Sequence, residues 1–159
     1  MLEVQLLLLI GVANGTPVIV KKIFGDFWDY PLDGNCHFFD QRPLFGPSKT
    51  IRGIVFSLLL TTVCAPVFSI SWHYGLVIGV SAMIGDLFSS FIKRRSGKPS
   101  SSMALGLDQI PESLFPMIAA HYLLGVSWWG VLVVGVLFFV LELLLSIILY
   151  KLNIRNEPY

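Results

Sequence analysis

Residues 74–99 read "YGLVIGVSAMIGDLFSSFIKRRSGKP", and the fold follows from this stretch. From position 74 to 92 the chain is apolar apart from small polar residues, His-free, and carries a single formal charge, Asp86. Four cations then follow within six positions, at Lys93, Arg94, Arg95 and Lys98. A run of about 20 such residues crosses the roughly 30 Å hydrocarbon core of a bilayer as a helix. A basic cluster at one end marks that end as cytosolic. Working outward, four more apolar stretches, at 6–20, 54–70, 107–125 and 128–149, bring the candidate spans to five.

The bulk composition agrees. Of 159 residues, 55% are hydrophobic and 13% charged, and mean hydropathy is +0.75, which excludes an ordinary soluble domain. All eleven Lys and Arg residues fall after the first, third or fifth stretch. Only an odd number of spans puts them on one side. The expected fold is therefore an all-α, five-span integral protein of the cell membrane, a single domain over 1–159. Its amino terminus lies outside and its carboxyl terminus in the cytosol, with cytosolic loops at about 21–52 and 93–106. The first residues do not read as a cleaved leader, because Glu3 stands where basic residues belong and Lys21 and Lys22 follow the apolar run. Cys36 and Cys64 imply neither a disulfide framework nor zinc.

Acids at membrane depth face a cavity or a partner. Asp86 precedes Lys93 by seven residues, and Ser89, Ser90 and Lys93 share its helix face. Asp108 opens the fourth stretch, with Glu112 one turn beyond. Adjacent antiparallel helices bring these three carboxylates toward one another, and oxygen-only ligands favour a hard cation such as Mg²⁺. Lys93, Arg94 and Lys98 beside three serines suit a phosphate-rich anion. Arg95 reads as a topology signal that also meets anionic lipid heads. A P-loop is excluded, since Ile92 and Pro99 occupy required Gly and Ser/Thr positions. Metal plus phosphate-binding cations at a membrane surface point to phosphoryl or nucleotidyl transfer on a lipid. Two other classes stay open: a small ion- or proton-coupled transporter, and a lipid-binding scaffold. No nucleic-acid partner is expected, the oligomeric state is undetermined, and Glu142 has no assigned role.

"GDLFSSFIKRR…GKP…LDQ", preceded by "ANGTPVIVKK", "PLDG" and "FGPSKTIRG", resembles the CDP-archaeol synthase family over about 13–109. That family is a small five-span relative of the CDP-diacylglycerol synthases. The resemblance implies a CTP:lipid-phosphate cytidylyltransferase that makes a CDP-activated lipid and pyrophosphate on the cytosolic face. Ser90, Lys93, Arg94, Lys98 and Asp108 match the wider family motif in order. Asp86 matches the earlier acid that, with Asp108, is expected to hold Mg²⁺, and Glu112 is added as a third ligand. Asp86, Asp108 and Lys93 are thus the expected catalytic residues. Ser89, Ser90, Arg94, Lys98, Lys49, Arg52, Asp33 and Asn14 are the expected substrate-binding set. The family name implies an ether-linked isoprenoid lipid phosphate, and a diacyl phosphate fits the physics equally well.

Overall fold

A computed structural model describes residues 1–102 and 104–151, the side chains of 149–151 excepted; Arg155, the last tail cation, lies outside the described residues. Five α-helices follow one another: α1 (Leu2–Phe24), α2 (Ile51–Cys64), α3 (Trp72–Arg95), α4 (Gln109–Leu124) and α5 (Trp128–Lys151). A short 3-10 segment, Ala65–Phe68, extends α2. Among the described residues four helical stretches are long and apolar enough to cross a bilayer: Leu2–Phe24, Ile51–Phe68, Trp72–Arg95 and Trp128–Ile148. These four match four of the five expected spans.

The fourth expected stretch is shorter than its apolar pattern implies. α4 has 16 residues, roughly 24 Å of helix at 1.5 Å per residue. Its start moves from 107 to Gln109 because the Asp108 carboxylate accepts the Ala104 N–H at 2.8 Å. Asp108 thereby closes the preceding loop and makes no side-chain cap for α4. α1 departs in the other direction, running well beyond 6–20 at both ends. Apolarity stops at Lys21, but the backbone ladder does not need apolar side chains and ends only at Gly25, whose N–H bonds Lys21 O at 2.9 Å. α2 is capped by Thr50, whose hydroxyl accepts the Gly53 N–H at 3.1 Å.

Leu6, Leu9 and Ile10 of α1 pack with Ile78, Met117, Ala120, Val134 and Phe138, so one apolar core joins α1, α3, α4 and α5. A second, smaller core joins Ala13 to Ala82 and Met83 one turn above Asp86. Small residues let helices approach closely where lipid gives no hydrophobic drive. The tightest such approach sits beside the site. A Cβ placed on Gly85 would overlap the Pro111 carbonyl group, 2.6 Å from its carbon. Hence α4 lies directly against α3 at this level, and Glu112 is delivered to Asp86. Gly85→Ala is expected to force the two backbones apart, destabilising the bundle by about 1–3 kcal/mol. Thermal unfolding in detergent checks this; a Gly85→Ala protein as stable as the native one would contradict the packing.

Candidate active site

The loop between α1 and α2 meets the loop between α3 and α4 at one end of the bundle. Arg42 donates through Nη1 to Arg94 O at 3.3 Å and to Arg95 O. Arg95 ties the same lobe down, pairing with Asp40 at 2.8 Å, donating to Pro43 O at 2.6 Å and lying over the Phe38 and Phe91 rings. Beyond the topology charge expected from sequence, the Arg95 guanidinium therefore holds the first loop on α3. Sequence gave Arg42 no role, because a lone Arg in a Gly/Pro-rich loop carries no local signal.

Two charged centres form where the loops meet. In the first, Lys49 Nζ lies 2.5 and 2.6 Å from the two oxygens of Asp86, and both side chains are largely buried. Lys49 is placed by a short backbone pairing, Leu32 N to Lys49 O at 2.7 Å and Ile51 N to Tyr30 O at 3.0 Å. Burial alone pushes the Lys49 ammonium toward neutrality, but Asp86, then Glu112 and Asp108, outweigh it and raise its pKa above the usual lysine value. Glu112 reaches Asp86 carboxyl to carboxyl. Lys93 pairs with Asp108 at 2.7 Å, each side chain 9% exposed, and donates to Ser102 O at 3.0 Å. Glu142 of α5, unassigned from sequence, lies within electrostatic reach of Glu112.

Of the residues proposed from sequence, Asp86, Glu112, Lys49, Lys93 and Asp108 thus come together. Their arrangement differs from the expected one. Among the described residues no three acidic, His or Cys side chains surround a single point. Asp108 is instead engaged by Lys93 and the Ala104 N–H. Two lysine–carboxylate pairs, Lys49–Asp86 and Lys93–Asp108, organise the charge here.

The second centre is a cleft of about 350 Å³ whose lining includes Arg42, Gly46, Arg94, Lys98 and Ser100. Arg94 is 5% exposed, yet its Nε and Nη1 have no hydrogen-bond partner among the described residues. Buried guanidinium donors left unpaired are costly, and an anion in the cleft would satisfy them. Gly46 has φ +92°, and a Cβ there would come within 3.0 Å of Ser100 Oγ and 3.5 Å of Arg94 Nη1. Glycine keeps that wall open and permits the turn.

Other expected substrate-binding residues have structural duties. Asp33 accepts N–H groups from Asn35, Phe45 and Gly46 at 3.1, 2.9 and 3.0 Å. Burial would raise its pKa, but those three amides prevail and hold it below the usual aspartate value. It shapes the cleft wall through backbone, and its oxygens are already occupied. Arg52 is displaced from the expected site: its guanidinium donates to Gly25 O at 3.0 Å and to Phe27 O, and pairs with Asp29 at 3.0 Å. Ser89 donates to Asp86 O at 2.9 Å and Ser90 is buried one position on. Asn14 sits within α1, its amide atoms buried with no hydrogen-bond partner among the described residues.

Residues 2–159 match the family model described as CarS-like, CDP-archaeol synthase. The chain belongs to the CDP-archaeol synthase family. A CDP-archaeol synthase of Saccharolobus islandicus (strain L.S.2.15 / Lassen #1) is 32% identical over 154 residues, covering 93% of this chain and 89% of the relative. One from Pyrobaculum arsenaticum is 30% identical, covering 93% and 92%. A solved structure described as "Structural insight into an intramembrane enzyme for archaeal membrane lipids biosynthesis" superposes with a TM-score of 0.78 at 25% identity, over 91% of this chain and 92% of that one. The protein is thus a multi-pass membrane enzyme of a nucleotidyltransferase family, and the transporter and scaffold readings give way.

Proposed function

We propose that this protein transfers the cytidylyl group of CTP to a membrane lipid phosphate, releasing pyrophosphate, with an archaeol-type ether lipid phosphate as acceptor. The observation that carries the reading is the buried, unpartnered Arg94 guanidinium in a cationic cleft, beside a lysine–carboxylate network inside an apolar bundle. An oxygen of the lipid phosphate attacks the α-phosphorus of CTP, and the bond from that phosphorus to the bridging oxygen of pyrophosphate breaks. Arg94 and Lys98, with Arg42 opposite, would hold the polyphosphate and neutralise the charge that builds on the leaving group. Lys49 would orient the lipid phosphate, and Lys93 would fix Asp108 and the second loop.

The donor set fits Mg²⁺. Asp86 and Glu112 lie carboxyl to carboxyl, and two carboxylates that close repel unless a cation or a proton lies between them. Mg²⁺ needs only one or two carboxylates when phosphates and water complete its shell. Asp86 and Glu112 would hold it, with Asp108 nearby. Bound there, the ion would supply Lewis-acid neutralisation of phosphate charge.

The whole chain, 1–159, would form the single catalytic domain, with the shorter α4 also crossing the membrane to bring the spans to five and the loop end in the cytosol. Support comes from the contact between the two loops, which puts both at one end with the Lys and Arg residues. The test is incorporation of labelled CTP into an organic-soluble product with Mg²⁺, offering ether and ester lipid phosphates in parallel. Arg94→Gln is expected to raise KM for CTP at least about tenfold, the effect of truncating a buried charge-assisted contact. No CDP-lipid from either acceptor would end the reading.

A further inference from the structure

Where α1 leaves the bundle, Phe24, Phe27, Trp28 and Tyr30 are all exposed, Phe27 to 74%, Trp28 to 54% and Tyr30 to 63%. Four aromatic rings so close in sequence form a surface that water disfavours. The surface does not stop at the turn. Val18, Ile19 and Ile23 of α1 are exposed too, so the aromatics continue an apolar face of a helix long enough to span the bilayer.

The turn is also firmly built. Arg52 donates to Gly25 O and Phe27 O and pairs with Asp29, while Lys21 pairs with Asp26 at 2.9 Å and with Asp29. These bonds hold Trp28 at φ +57°, a left-handed conformation that a bulky residue keeps only when its surroundings impose it. From there the chain pairs through Tyr30 and Leu32 with Ile51 and Lys49. The chain leaving the aromatic turn is therefore tied by two backbone hydrogen bonds to segment 49–51, one of them to Lys49, whose ammonium meets Asp86.

We propose that segment 24–30 is an interfacial seat: its rings lie in the lipid headgroup layer, and its pairing with 49–51 holds Lys49 at the depth of the lipid phosphate. Trp and Tyr suit that layer because each has an apolar body and a polar tip. The partner is a lipid surface, since the patch is continuous with the lipid-facing row of α1. The role of Lys49 rests on the cytidylyltransferase reading, whereas the seat itself does not.

The test uses the full chain in phosphatidylcholine–phosphatidylglycerol vesicles, with Trp72, Trp128 and Trp129 changed to Phe so that Trp28 alone emits. Lipids brominated high on the acyl chain are expected to quench most of its emission, and aqueous iodide little. Quenching by iodide and not by lipid overturns the seat; so does protection from both, which would mean a second copy or another protein covers the turn. Where the triple replacement does not fold, the difference between the native protein and Trp28→Phe gives the same measurement. A Phe27→Ser/Trp28→Ser variant is then expected to raise KM for the lipid phosphate severalfold and leave KM for CTP unchanged. Equal change in both, or in neither, overturns the link to Lys49. If the native protein makes no CDP-lipid, the reaction reading fails while the quenching result still decides the seat.

Discussion

Asp86→Asn is expected to lower CDP-lipid formation by about 10²–10³-fold, the scale on which a preorganised electrostatic group contributes, while the protein stays folded. Asp86 is the point at which three elements meet: α3 carries it, Lys49 bonds both its oxygens, and Glu112 of α4 touches it. Asn keeps the shape and removes the charge. The fold survives because Lys49 still feels the Glu112 and Asp108 carboxylates, so no isolated buried cation is left behind. Product formation from labelled CTP, with thermal unfolding of the same preparation, separates the two effects. Activity within a few-fold of the native enzyme would remove Asp86 from the chemistry.

Lys93 and Asp108 are expected to behave as a unit. Each side chain is 9% exposed, so removing one partner leaves an uncompensated buried charge, at a cost of about 3–5 kcal/mol. Lys93→Met and Asp108→Leu should each be strongly destabilised and inactive. The double variant should recover a large part of that stability, because two apolar side chains replace a pair whose desolvation offsets much of its attraction. Recovery is incomplete because the Ala104 N–H and Ser102 O lose their partners. Activity should not return. Stabilities of the four proteins form a double-mutant cycle, and additive losses would show that the pair is not coupled.

The contrast between these pairs and the helices marks how far a sequence can be read. Apolar run length and charge placement are local properties, and they determined the all-helical class, the four long spans and the end of the bundle at which the loops gather. Helical offsets likewise put Asp86, Ser89 and Lys93 on one face of α3 without any knowledge of what that face meets.

Partner choice was decided only in three dimensions. Lys49 could have met any acid near the membrane surface; the pairing of 49–51 with 30–32 gives it Asp86. The contact of Glu112 with Asp86 depends on Gly85 admitting the Pro111 backbone, and Arg42 from the first loop and Arg95 from the end of α3 bridge the two across more than fifty residues. Arg52, beside Lys49 in sequence, turns instead to the end of α1. A charge selects the partner that lets it leave water at least loss, and that partner is fixed by which backbones can touch. Helical periodicity constrains neighbours a turn or two apart and says nothing about such long-range contacts, so the sequence put these charges at one end of the bundle while the packing of α3 against α4 and the folding of the first loop determined their partners.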